Sequence, residues 1–184
     1  MELSDYRPIS NLVTKETFVE RPRFPVIDAH NHLELFRQGW PERPISELFD
    51  MMDACGVRAI VDLDGAWGED LVERALDRFK AKAPERFTIF GGVNFSTWPE
   101  HGDRFGEYAA QRLRAQVQRG AQGLKVWKDF GLNVQDQHGQ RVRINDPRME
   151  PVWATAGELG IPITVHIADP VAFFRPLDLS LIHI

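Results

Sequence analysis

The strongest constraint on this chain is a strict alternation of two hydrophobic periods. Five short apolar runs, at residues 24–32, 57–63, 87–95, 123–127 and 161–168, are each rich in Val, Ile or Phe. Runs of that length without polar alternation read as strands covered on both faces. Between them lie four helical stripes. The first covers Ile45 to Cys55 and stops at Gly56. The second aligns Leu71, Val72, Ala75, Leu76 and Phe79 and ends before Pro84. The third aligns Phe105, Tyr108, Ala109, Leu113 and Val117 and stops at Gly120. The fourth opens with Asp146 and Pro147, an N-cap and a first-turn proline. It turns Met149, Val152, Trp153, Ala156 and Leu159 inward and stops at Gly160. Strand starts fall roughly 30 to 40 residues apart, the spacing of right-handed βαβ units.

Such alternation gives a parallel sheet, either doubly wound or closed as a barrel. The first βα turn decides between them. It runs His-Asn-His-Leu-Glu-Leu-Phe and has no Gly-x-Gly-x-x-Gly to receive a pyrophosphate. Polar residues gather instead at the C-terminal ends of the strands: His30 and His32, Asp62 and Asp64, Asn94, Lys125 and Lys128, and His166. A (β/α)8 barrel places its chemistry there. The expected fold is α/β, a partial (β/α)8 TIM-type barrel of about five βα units.

The first run carries the sharpest chemical signal. Residues 26–33 read Val-Ile-Asp-Ala-His-Asn-His-Leu, with Asp28, His30 and His32 at every second position. Strand side chains alternate faces, so all three are expected to point the same way. His166, late on the fifth run, is the third candidate ligand. Three neutral imidazoles plus water form a catalytic zinc shell with an open position. Such an ion lowers the pKa of its water toward ~7 and polarises a carbonyl. Asp28 either orients a ligand or joins the shell. Lys125 sits among apolar neighbours, and a buried lysine is rare without a partner. It would bridge two metals if carboxylated, bind a substrate carboxylate, or make a structural ion pair. Lys128 stands closer to the mouth and could bind substrate instead. Trp40, Trp67, Trp98 and Trp127 are packing residues, of which one or two could line a small-molecule pocket. Residues 129–145 form a long loop in which Leu132 and Val134 face Val142 and Ile144, a small hairpin over the mouth. His138 at its tip, like His101, is read as a solvated loop histidine.

Bulk properties narrow the partners. At 184 residues the chain has length for one sizeable core. The formal net charge of -5 offers no basic footprint for nucleic acid. Cys55 is the lone cysteine, which excludes an intramolecular disulfide and a cysteine-rich zinc site; it is expected to be a buried small side chain. The polar start lacks the pattern of a signal peptide, and no run of ~18 apolar residues exists to span a membrane. The expectation is a cytoplasmic protein that acts on a small-molecule substrate and makes no contact with nucleic acid or membrane.

The chain resembles the amidohydrolase superfamily, and within it the amidohydrolase-related (type 2) family. The resemblance rests on Ile27-Asp-Ala-His-Asn-His32, Gly123-Leu-Lys125 and Pro162-Ile-Thr-Val-His166, and covers roughly residues 24–178. It implies a (β/α)8 barrel and a metal-dependent hydrolase, with non-oxidative decarboxylases among the relatives. It assigns metal binding to His30 and His32, matches His166 to the fifth-strand ligand, and implies a divalent metal, zinc first. The family pattern then asks for a histidine after the sixth strand and an acid–base aspartate after the eighth. Neither is present, and a complete barrel needs about 250 residues. The resulting expectation is an N-terminal fragment: an arm over 1–23, a truncated barrel domain over 24–177, and a non-native tail over 178–184, which would remove His183 as a ligand. Such a fragment is expected to be inactive alone, with Asp62, Asp64 and Asp169 the available stand-ins for the missing aspartate. Its unpaired apolar edges are expected to drive self-association, as a homo-oligomer or less specifically.

Overall fold

The computed structural model describes residue 15, residues 18–35 and residues 43–167. Most of the expected arm, Trp40, Asp169 and the 178–184 tail with His183 lie outside the described residues.

Five strands alternate with helices: β1 (Val26–Asn31), α1 (Ile45–Cys55), β2 (Val57–Asp62), α2 (Glu69–Ala75), β3 (Phe87–Gly91), a short α3 (Trp98–His101), α4 (Phe105–Gln118), β4 (Gly123–Val126), α5 (Glu150–Leu159) and β5 (Ile163–Val165). A π-helical turn, Leu76–Lys80, continues α2 toward Pro84. The strands form one sheet in the order β1-β2-β3-β4-β5, every pair parallel. A doubly wound sheet must reverse its strand order at a switch point. This order never reverses. Right-handed crossovers that always step the same way leave their helices on one face, and the sheet curls around the other.

The helices end where local chemistry stops them. Gly56 and Gly160 take the left-handed conformation, at φ 70° and 65°, and close α1 and α5. Asp146 accepts a hydrogen bond from the Arg148 amide at 2.9 Å and starts the turn that leads into α5. Two apolar clusters fill the space between helices and sheet. Leu48 and Met52 of α1, Val72, Leu76 and Phe79 pack on Ile60, Phe87 and Ile89. Trp98, Phe105, Leu113, Met149 and Val152 pack on Leu124, Val126, Phe130 and Val142. Full burial of a side chain such as Phe79 contributes about 1.5–3 kcal/mol.

The C-terminal end of β3 is pinned from two sides. Gln116 of α4 is fully buried; its Oε1 accepts from Gly92 N at 3.0 Å and its Nε2 donates to Gly92 O at 2.8 Å. On the other side the turn after β2 presses in. A Cβ on Gly92 would stand 2.0 Å from the Gly65 carbonyl oxygen, so neither backbone could approach with a side chain present. This contact fixes the turn Asp64–Trp67 over the sheet and brings Trp67 to the mouth.

The hairpin over residues 129–145 is only partly formed. Gln135 and Arg141 make a single antiparallel bridge, and Val142 N donates to Val134 O at 2.9 Å. Val134 and Val142 are buried, whereas Leu132 and Ile144 are exposed. Arg148 anchors the loop by pairing with Asp103, Asp136 and Asp146 and lying over the Trp98 ring.

Three expectations need correction. β3 ends at Gly91, so Asn94 is not on a strand; its side chain caps the short turn Phe95–Thr97. β5 is confined to three residues. Cys55 is exposed, because the buried stripe of α1 is Leu48 and Met52 and the helix ends on an open rim.

Candidate metal and ligand site

β1 and the residue that follows it deliver two imidazoles to one point. His30 Nε2 and His32 Nε2 lie 3.3 Å apart. Two nitrogens bound tetrahedrally to one zinc, each about 2.0–2.1 Å from it, stand about 3.3–3.4 Å from each other. The pair therefore has the separation of two ligands of a single ion. His32 is also oriented from behind. Its Nδ1 lies 3.1 Å from Asp64 Oδ1, a fully buried carboxylate whose Oδ2 accepts from the amides of Glu34 and Leu35. A carboxylate on Nδ1 keeps the proton there and leaves the Nε2 lone pair outward. His30 is held toward its neutral form: partial burial lowers its pKa first, followed by the charges of Lys125, His32 and His166, against a smaller opposing effect of Asp28.

The parity argument holds for the two histidines and fails for Asp28. Between Asp28 and Asn31 the register slips: three steps along β1 match two along β2, from Ile60 to Asp62. A bulge of this kind re-aims side chains. Asp28 receives hydrogen bonds from Asn31 Nδ2 at 2.6 Å and from the His30 amide at 3.2 Å. With Asn31 it lines a cavity of about 160 Å³ beside Leu48, Met52 and Cys55 of α1.

His166 follows β5, and its amide donates to Val126 O at 3.0 Å. Its ring packs edge-on against Trp127, centroids 4.6 Å apart. Trp127 contacts Trp67 at 4.4 Å, and Trp67 stands edge-on to His32 at 4.8 Å. His166 thus shares the mouth with the histidine pair across two indoles. Among the described residues, no three or more His, Cys, Asp or Glu side chains are gathered at metal-ligand spacing. Two of the three expected ligands are brought together and the third stands apart.

Lys125 is 1% exposed and has no carboxylate partner among the described residues. Burial pushes its ammonium below the ordinary lysine value, and its charge reaches His30. The structural ion pair, one of the three readings of Lys125, is not seen among the described residues. Lys128 places its ammonium 5.0 Å from the Trp127 ring centre. His138 is exposed in its turn, and His101 stacks on Tyr108 at 3.7 Å.

Asp64 is the residue that sequence reasoning undervalued, having placed it at the mouth without linking it to His32. The available signal was the Asp-Leu-Asp sequence ending the second strand, next to the His-x-His strand in a sequential sheet. Asp62 is fully buried, and its carboxyl is held well above the ordinary range by burial first and by the neighbouring Asp64 charge second. Its Oδ1 accepts from Leu33 N at 3.0 Å, while Oδ2 finds no hydrogen-bond partner.

No family model matches the chain, and no curated protein matches it. No helix among the described residues is long and apolar enough to cross a membrane. The functional reading therefore rests on the residues themselves.

Proposed function

We propose that this chain carries the metal-binding strand of a metal-dependent hydrolase of the amidohydrolase-related type, on a (β/α)8 barrel of which the curled five-stranded sheet forms part. The observation that carries this reading is the His30–His32 pair, Nε2 to Nε2 at 3.3 Å, with Asp64 behind His32. His30 and His32 would hold the cation, with His166 the next nearest imidazole at the mouth. When bound, a divalent cation, zinc first, supplies Lewis acidity to a substrate carbonyl and to water.

The chain's own residues then have distinct tasks. Asp64 fixes the tautomer of His32 and is not free to move a proton, because His32 and two backbone amides occupy its oxygens. Asp62 is enclosed, and burial with the Asp64 charge favours its protonated form. Transfer of a proton to a leaving group therefore falls to neither. Lys125 places positive charge beside His30, where a substrate carboxylate or a developing oxyanion gains from it.

The test is metal content. Purified protein loaded with zinc and dialysed should retain about one ion per chain by elemental analysis. A variant with both His30→Ala and His32→Ala should retain none above background. Equal zinc in both proteins overturns the reading.

A further inference from the structure

A cleft opens at the C-terminal ends of the strands, with Trp67 standing between it and His32. It holds about 430 Å³, within the range of small-molecule sites. Trp67 and Trp127, in mutual contact, give it one continuous apolar wall, and Trp67 touches His32 on its other side. The rest of the lining mixes Phe95, Pro99 and Val134 with polar side chains and carries no positive charge: no Lys, Arg or His is among the described residues that line it. Asp129 contributes the one carboxylate there, and Asn94, Asn133 and Gln135 contribute carboxamides.

Hydrogen-bonding capacity is left over. Asn94 Oδ1 is taken by the amide and hydroxyl of Ser96, which leaves its Nδ2 as a donor. Asn133 donates through Nδ2 to Asp129 Oδ1, which leaves its own Oδ1 as an acceptor. A ligand carboxylate entering here would lose its water to a lining without a cation, Lys128 lying over Trp127 and not among the lining residues, and would meet Asp129. An uncharged planar group that both donates and accepts loses neither. Flat aromatic surface is matched by the indole wall.

We propose that this cleft binds an uncharged aromatic ring carrying an amide-type substituent, and that Asp129 makes it reject aromatic carboxylates. This deepens the hydrolase reading by naming the chemical class seated against Trp67, which touches His32, and it rests on that reading for its catalytic meaning. Binding itself needs no metal.

The experiment uses benzamide and benzoate, which share a shape and differ in charge. Ligand-observed NMR saturation transfer on the whole chain, chelator-treated and zinc-loaded, measures benzamide binding and its displacement by benzoate. Displacement reads the cleft alone, so capture of benzoate near Lys125 does not enter. Benzamide should bind in both states, with benzoate about tenfold or more weaker as a competitor, the size expected of one like charge at close range. Asp129→Asn keeps the shape and should shrink that preference at least threefold, a change in selectivity that mere loosening of the loop would not produce. Benzoate competing as well as benzamide, or an unchanged preference in Asp129→Asn, overturns the proposal, as does absence of benzamide binding by folded protein. Zinc retention is scored separately. Benzamide binding without zinc retention rejects the hydrolase reading and leaves the cleft assignment standing; zinc retention without benzamide binding does the reverse.

Discussion

Replacing Asp64 by Asn tests whether the carboxylate behind His32 sets its chemistry. Asp64 accepts three hydrogen bonds, one from His32 and two from backbone amides. An amide of the same shape has one oxygen and one NH2 group, so it must choose. With its oxygen toward His32, the NH2 faces two backbone N–H groups. Two buried donors then go unpaired, at about 1–3 kcal/mol each. With its NH2 toward His32, the backbone bonds survive, but His32 Nδ1 must accept and its proton moves to Nε2. The lone pair aimed beside His30 is then replaced by an N–H. Loss of a ligand's supporting carboxylate typically weakens metal binding 10- to 100-fold, about 1.4–2.7 kcal/mol. The second arrangement costs less and should prevail. Asp64→Asn is therefore expected to fold, to melt within a few degrees of the parent without metal, and to bind zinc at least tenfold more weakly. Competition against a chromophoric chelator measures the affinity, and circular dichroism measures the melt. Parent-like zinc affinity with an unchanged melting temperature would refute the reasoning.

Asp62 should give the protein a distinctive pH dependence. A carboxyl whose folded pKa is raised contributes stability that is complete below its ordinary value of 3.8 and is lost as pH rises toward its folded pKa. In urea titrations the parent should therefore lose stability relative to Asp62→Asn between acid and neutral pH; a constant difference would contradict the burial argument. Gly92→Ala would place a methyl 2.0 Å from the Gly65 oxygen, and should cost about 2 kcal/mol or more in the same assay, a backbone clash that no rotamer relieves. Arg148→Met strands Asp136 with two backbone donors and no cation, and should cost about 2 kcal/mol while leaving zinc retention unchanged. Ile27, Ile163 and Val165 are exposed on strands that have no outer neighbour among the described residues. Light scattering should show association at tens of micromolar, reduced by Ile27→Lys; a monodisperse parent would count against edge pairing.

Element type was legible because each segment satisfied its own local rule. The stripe of Phe105, Ala109 and Leu113 needs no neighbour to declare a helix, and Gly56 or Gly160 can end one by itself. The parallel sheet followed from βα alternation, and the sequential order from a first βα turn that lacks a phosphate loop. What escaped depends on pairs of segments. The slip at Asp28 comes from how β1 seats on β2, and nothing in Ile27-Asp-Ala-His announces it. The link between His32 and Asp64 joins residues that follow two neighbouring strands, one just past β1 and one in the turn after β2. Cys55 looked buried because periodicity records the stripe but not where the covering layer stops. The early end of β3 reflects Gln116 taking both hydrogen-bonding groups of Gly92, a tertiary substitute for a strand partner.

The sequential strand order also bears on how the chain acquires its structure. Each strand pairs with its predecessor, across intervals from 27 residues (Ile60 to Phe87) to 39 residues (Leu124 to Ile163). Among the described strands no pairing waits for a distant segment, so loop closure is paid in small, nearly equal instalments. During synthesis β1 and β2 can join once Val57–Asp62 clears the ribosome, and every later unit docks on a template already laid down. The His30–His32 pair and Asp64 stand at that first pairing, so two of the three candidate ligands would be assembled before α4 and α5 are made. An ion captured then would act as a nucleus for everything that follows.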